Sequence, residues 1–144
     1  MSSESNKPTT LFWVIGIFAL IWNAMGVMAY IGQAYMTDEM LAALPEAERA
    51  LYENVPAWVT AAFAIAVFGG ALGCILLLLR KKTAKLLFLI SLIAIIVQMT
   101  YNLFMSKASE VYGPGGMIMP IMVIIIGVFL LLYSKKSIEK GWLS

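Results

Sequence analysis

Four stretches of almost uninterrupted apolar residues, at about 11–35, 57–79, 86–105 and 117–133, account for most of this chain. A helix needs about 20 apolar residues to cross the hydrocarbon core of a bilayer, and every backbone N–H and C=O must there find its partner within the segment. The chain is therefore expected to be all-α, a polytopic membrane protein built as an antiparallel four-helix transmembrane bundle. Only 12% of its residues are charged, against about 25% in soluble domains, and nearly all of these fall between or outside the stretches. The four spans and their connections use up residues 1–144, so one membrane domain is expected, with an outer amphipathic segment over 37–56.

The positions of the charges predict an orientation. Lys7 precedes span one, Arg80, Lys81, Lys82 and Lys85 separate spans two and three, and Lys135, Lys136 and Lys140 follow span four. The opposite side carries only Arg49 and Lys107, together with the acids Asp38, Glu39, Glu46, Glu48, Glu53 and Glu110. Basic residues are retained in the cytoplasm during insertion, so both termini are expected there. The basic clusters are explained by topology and by attraction to anionic membrane lipids, about 1 kcal/mol per residue, and no nucleic-acid binding is read into them. Lys7 is the only basic residue in the flank 1–10 and the apolar run after it exceeds a signal-peptide core of roughly 7–15 residues, which points to a retained first span. Trp13, Trp58, Tyr35, Tyr112 and Tyr133 sit near span ends, where amphipathic rings favour the headgroups.

In the outer segment, Thr37-Asp38-Glu39 carries a capping hydroxyl followed by acids, a helix start. Pro45-Glu46-Ala47-Glu48 reads as a second start. Met40, Leu41, Leu44, Leu51 and Tyr52 supply an apolar stripe, so one or two short helices over the mouth of the bundle are expected, as a connector or as a lid. Gly-Pro-Gly-Gly at 113–116 is a helix breaker ending the second outer connection. The inner connection 80–85 is short enough to make spans two and three a tight antiparallel pair.

Several chemistries lack their residues. There is no histidine, and Cys74 is the single cysteine, so no internal disulfide and no metal cluster is expected. No nucleophile–base pair, paired carboxylates or phosphate-binding glycine loop is visible, so no catalytic residues and no cofactor are assigned, and the chain does not read as an enzyme. No Asp, Glu, Lys, Arg or His lies within a span. Intramembrane ionisable groups mark proton relays and ion pathways. Their absence argues against a carboxylate-based pump and against the small multidrug antiporters, which match this chain in size but depend on a membrane-embedded glutamate.

The polar residues inside the spans are neutral and cluster by face. At about 100° per residue, Gly16, Ala19, Asn23, Gly26, Tyr30 and Ala34 share one side of span one. On span three, Ser91, Ala94, Gln98, Asn102 and Met105 share a side, with Tyr101 on its flank. These two stripes are expected to face each other or a cavity. Two roles are open for each amide: hydrogen bonding across helices, worth roughly 0.6–2 kcal/mol, or ligand binding in an apolar pocket with a few placed polar groups. The substrate-binding candidates are Trp22, Asn23, Tyr30, Gln98, Tyr101 and Asn102, rings supplying contact area and amides binding hydroxyls. On span two, Gly69, Gly70 and Gly73, with Ala62, Ala66 and Cys74, form a small-residue face suited to close helix approach, either inside the bundle or at an interface. Met117, Met119 and Met122 near Pro120 in span four read as adaptable packing.

The runs Leu51-Tyr52-Glu53-Asn54-Val55-Pro56-Ala57-Trp58, Phe68-Gly69-Gly70-Ala71-Leu72-Gly73-Cys74 and Ile21-Trp22-Asn23-Ala24-Met25-Gly26 resemble a family of small bacterial four-span membrane proteins commonly labelled sugar transporters. The architecture has a general likeness to DoxX-like four-helix membrane proteins. The resemblance implies a bacterial inner membrane and a small neutral solute, such as a sugar. The chain is thus expected to be a facilitator or binding protein for a small neutral polar solute, with transport needing a homodimer because four helices leave little lumen. The alternative is a non-transporting accessory subunit that docks a larger membrane partner through the small-residue face of span two.

Overall fold

The computed structural model describes residues 7–53, 55–105 and 118–144. Among the described residues all regular structure is helical: α1 (Thr10–Ala34), α2 (Asp38–Ala42), α3 (Glu46–Glu53), α4 (Ala57–Leu78), α5 (Thr83–Thr100) continued by a π-helical turn (Tyr101–Met105), and α6 (Ile118–Glu139). The helices α1, α4, α5 and α6 are long and apolar enough to cross a membrane, which fits a multi-pass membrane protein. The outer connection 106–116, with its Gly-Pro-Gly-Gly breaker, and Met117 lie outside the described residues.

The helix ends follow local chemistry. Thr9 opens α1, its hydroxyl accepting from Phe12 N–H at 3.2 Å. Thr37 caps α2 in the same way through Met40 N–H at 3.1 Å, and Arg49 N–H donates to Pro45 O at 2.9 Å as α3 begins. The connection between α4 and α5 is shorter than the sequence suggests, because α4 closes in a Schellman turn. Arg80 takes a left-handed conformation (φ 60°), with Arg80 N–H donating to Leu77 O and Lys81 N–H to Leu76 O, both at 2.9 Å. The α5 helix then starts at Thr83. At its other end the α-helical register stops at Thr100, where the Thr100 hydroxyl bonds back to Ile96 O at 2.7 Å. The fourth helix runs well past the expected end of its span, to Glu139.

Packing forms an arc in which α1 lies on α4, α4 on α5 and α5 on α6. Glycines set the close approaches. Gly69 faces Ser91, and Gly73 faces the Phe88 ring, so the residue numbers rise on α4 as they fall on α5 and the pair is antiparallel. Gly26 meets Val67 between α1 and α4, and Gly127 meets Ile95 and Leu92 between α6 and α5. Large apolar side chains such as Phe18, Met28, Ile125 and Leu132 point outward and are exposed, the pattern of helices whose surroundings are hydrocarbon.

The ends of the arc, α1 and α6, meet at the end of the bundle that carries the α4–α5 turn. There Phe12, fully buried, stacks on Tyr133 at 6.2 Å and packs edge-on against Trp142 at 5.7 Å. Gly141 (φ 76°) closes α6 with a second Schellman turn, Trp142 N–H donating to Ser137 O at 2.9 Å. Residues 142–144 then fold back, placing Trp142 and Leu143 in the core. Arg80 Nε donates to Trp142 O at 2.8 Å and Ser144 N–H to Arg80 O at 2.9 Å, tying this segment to the α4–α5 turn. The residues that follow the basic cluster Lys135, Lys136 and Lys140 thus form a packed floor.

Candidate functional site

Beyond that floor the arc encloses a cavity of about 360 Å³ to which all four long helices contribute. Trp22, Asn23, Met25, Gly26 and Ala29 come from α1, Phe63, Ala66, Val67 and Gly70 from α4, and Phe88, Ser91, Ile95, Gln98 and Met99 from α5. Val123, Ile126, Gly127 and Leu130 of α6 complete the wall. The lining is overwhelmingly apolar and, among the described residues, holds no ionisable side chain. Asn23 is the fourteenth of the 25 residues of α1, near its middle, whereas Gln98 is the sixteenth of the 18 residues of α5, close to its end. Ser91 and Gln98, seven residues apart on α5, mark two levels about 10 Å apart along the cavity.

The three polar side chains are in different states. Asn23 has both amide hydrogens engaged, donating to Ala19 O at 2.8 Å in its own helix and to Cys74 Sγ at 3.4 Å across to α4. Its carbonyl oxygen occupies the space beside Gly70 where a Cβ would stand. Ser91 Oγ donates to Ala66 O at 2.6 Å, joining α5 to α4. Gln98 is more than nine-tenths buried, lines the cavity, and its carboxamide has no hydrogen-bond partner among the described residues. The carboxamide is open to the cavity rather than sealed in the packing; among the described residues the sealed side-chain polar atom without a partner is the indole Nε1 of Trp142 at the floor.

Of the six residues expected to bind substrate, the structure brings Trp22, Asn23 and Gln98 to one cavity. Tyr30 faces α4, as Asn23 and Gly26 do, but is not among the residues that line this cavity. It packs edge-on against Phe63 and Phe68 at 5.5 and 5.6 Å, and lines a second pocket of about 250 Å³ with Gln33, Met36, Leu41, Tyr52 and Thr60. Tyr101 packs edge-on against Trp58 at 5.8 Å. The Asn102 amide lies 3.8 Å from Met99 Sδ. The separation of these two from Gln98 has a physical cause: the π turn at Tyr101–Met105 widens the i→i+4 register to i→i+5, so the 100° spacing that aligns Gln98 with Asn102 no longer holds there. Gly69, Gly70 and Gly73 pack against α5 and α1 within the chain itself.

The α6 wall of the cavity was not legible. That helix is apolar on every side, so no face of it stands out, and only the close seat of Gly127 against Ile95 and Leu92 gives its inward side a marker. Phe63 and Phe88 likewise read as generic span residues. Comparison with protein-family models, with curated proteins and with solved structures gives no match.

Proposed function

We propose that the chain is a membrane-embedded binding protein, or facilitator, for a small uncharged solute held in the interhelical cavity. The observation that carries this reading is Gln98: on a residue more than nine-tenths buried, a carboxamide without a hydrogen-bond partner among the described residues, facing an apolar space of about 360 Å³. A carboxamide offers one acceptor and two donor hydrogens, enough for one hydroxyl, amide or carbonyl. With no ionisable group on the wall among the described residues, a charged solute would lose its hydration without compensation.

The wall also bears on the nature of the solute. A sugar carries a hydroxyl on nearly every carbon, and each would need a partner on desolvation. Asn23 has spent its hydrogens on Ala19 and Cys74, and Ser91 its hydrogen on Ala66. These two side chains keep only acceptor oxygens, so the wall suits a largely apolar solute with few polar groups better than a sugar. The accessory-subunit reading draws on the face around Gly69 and Gly73, but that face is covered by α5. The setting proposed with this reading is a bacterial inner membrane with both termini cytoplasmic, supported by the basic residues at 80–85 and 135–140.

The experiment is thermal unfolding of the detergent-purified protein against sugars, polyols, primary amides and medium-chain alcohols. A ligand at about 100 times its dissociation constant adds about 2.7 kcal/mol of stability. Stabilisation by an uncharged compound is expected, smaller by about 1 kcal/mol in Gln98→Leu at the same concentration. Absence of a shift with every compound overturns the reading.

A further inference from the structure

Resting on that reading, we infer both the class of the ligand and its route: a single-chain neutral amphiphile that enters sideways from the bilayer, between α1 and α6. Two observations define the route. Extensive packing closes the α1–α4, α4–α5 and α5–α6 pairs, leaving α1 and α6 as the edges of the arc. The lining itself reaches the outside of the bundle at that seam, because Met25, a wall residue, is 61% exposed, and Ala29, one turn further along α1, is exposed as well. At the depth of a transmembrane helix, the medium outside such an opening is acyl chain.

The polarity of the cavity defines the ligand. Among the described residues Gln98 is its one polar group with open hydrogen-bonding capacity on both donor and acceptor sides, and it lies near the end of α5 remote from the Phe12–Trp142 floor. Toward that floor the wall is Ile95, Phe88, Ile126 and Leu130. An uncharged hydroxyl or amide head on Gln98 directs its chain along these residues, and any excess length leaves through the seam past Met25. Scaled from an apolar cavity of about 150 Å³ that holds benzene, the volume accommodates on the order of a dozen non-hydrogen atoms, the size of decanol or decanamide. A carboxylate or quaternary ammonium head finds no countercharge in the wall.

The test is photolabelling of the full-length protein in phosphatidylcholine vesicles with a diazirine analogue of decanol, the adducts located by peptide mass spectrometry. Labelling is expected to concentrate on Met25, Val123 and Ile126. Decanamide should compete, and decanoate at pH 9 should not. Gln98→Leu should reduce this labelling about fivefold, the effect of one neutral hydrogen bond. Ile126→Trp, which fills the cavity without touching Gln98, should abolish it. Even labelling over the lipid-facing residues Phe18, Ile75 and Ile90 overturns the inference, since it reports bulk partition alone. Cavity labelling insensitive to Gln98→Leu and to decanamide overturns the head-group assignment but leaves solute binding standing. Stabilisation of the purified protein by polyols, with no cavity adduct, overturns the amphiphile and again leaves solute binding standing.

Discussion

The carbonyl oxygen of Asn23 stands where a Cβ on Gly70 would be, so the middle of α1 and the middle of α4 are joined through one missing methyl group. The amide cannot swing away freely, because its hydrogens are held by Ala19 O and Cys74 Sγ. Gly70→Ala should therefore destabilise the bundle by about 1–3 kcal/mol, the usual cost of overpacking a close contact. Gly32→Ala is the matched control, because nothing stands within 4 Å of its Cβ position and alanine favours the helix by about 1 kcal/mol. Unfolding of the two variants in a denaturing detergent series should move in opposite directions.

Ser91 and Ser134 are both buried, but only one of them crosses between helices. Ser91 Oγ donates to Ala66 O of α4, whereas Ser134 Oγ donates to Leu131 O of its own helix at 2.8 Å. Ser91→Ala should cost about 1 kcal/mol, within the range measured for interhelical bonds in membranes. Ser134→Ala should cost less. Equal losses in the same denaturation assay would mean that the Ser91 bond contributes nothing beyond packing.

At the floor, Trp142 covers Phe12 and is bound through its carbonyl to Arg80. Trp142→Ala removes a large buried ring and should cost about 3 kcal/mol. Gly141→Ala places a Cβ on a residue with φ 76° and should destabilise the same end by about 1 kcal/mol. Both variants should raise proteolysis at the α4–α5 turn while leaving cleavage between α1 and α4 unchanged, which limited proteolysis in detergent can read.

The four long helices were legible because the bilayer demands one kind of segment, and the lengths of the apolar runs reveal it. Thr37 as a cap was legible from a local motif. The glycine face of α4 was legible as packing, although which neighbour each glycine receives was not. The cavity was legible in part. Asn23 and Gln98 stood out as amides in apolar helices, but nothing in the sequence distinguishes a saturated amide from an unpartnered one, since the partners Ala19 O and Cys74 Sγ arise from the packing. Tyr101 and Asn102 were misaligned with Gln98 because a π turn changes the residue spacing without a sequence signal of its own. The fold-back of residues 142–144 has no sequence signal of its own: Trp142 and Leu143 lie beyond the last apolar run, after Lys135, Lys136 and Lys140.

If the Gln98 carboxamide, unpartnered among the described residues, serves a ligand, the stability of Gln98→Leu without any ligand tests this most directly. Leucine fits the apolar wall formed by Ile95, Met99 and Val123 and removes an unmet carboxamide. The free variant should be at least as stable as the wild type, and the stabilisation by uncharged compounds should fall by about 1 kcal/mol. A free variant destabilised by about 1 kcal/mol or more would contradict the account, because it would mean that the carboxamide already has a structural partner.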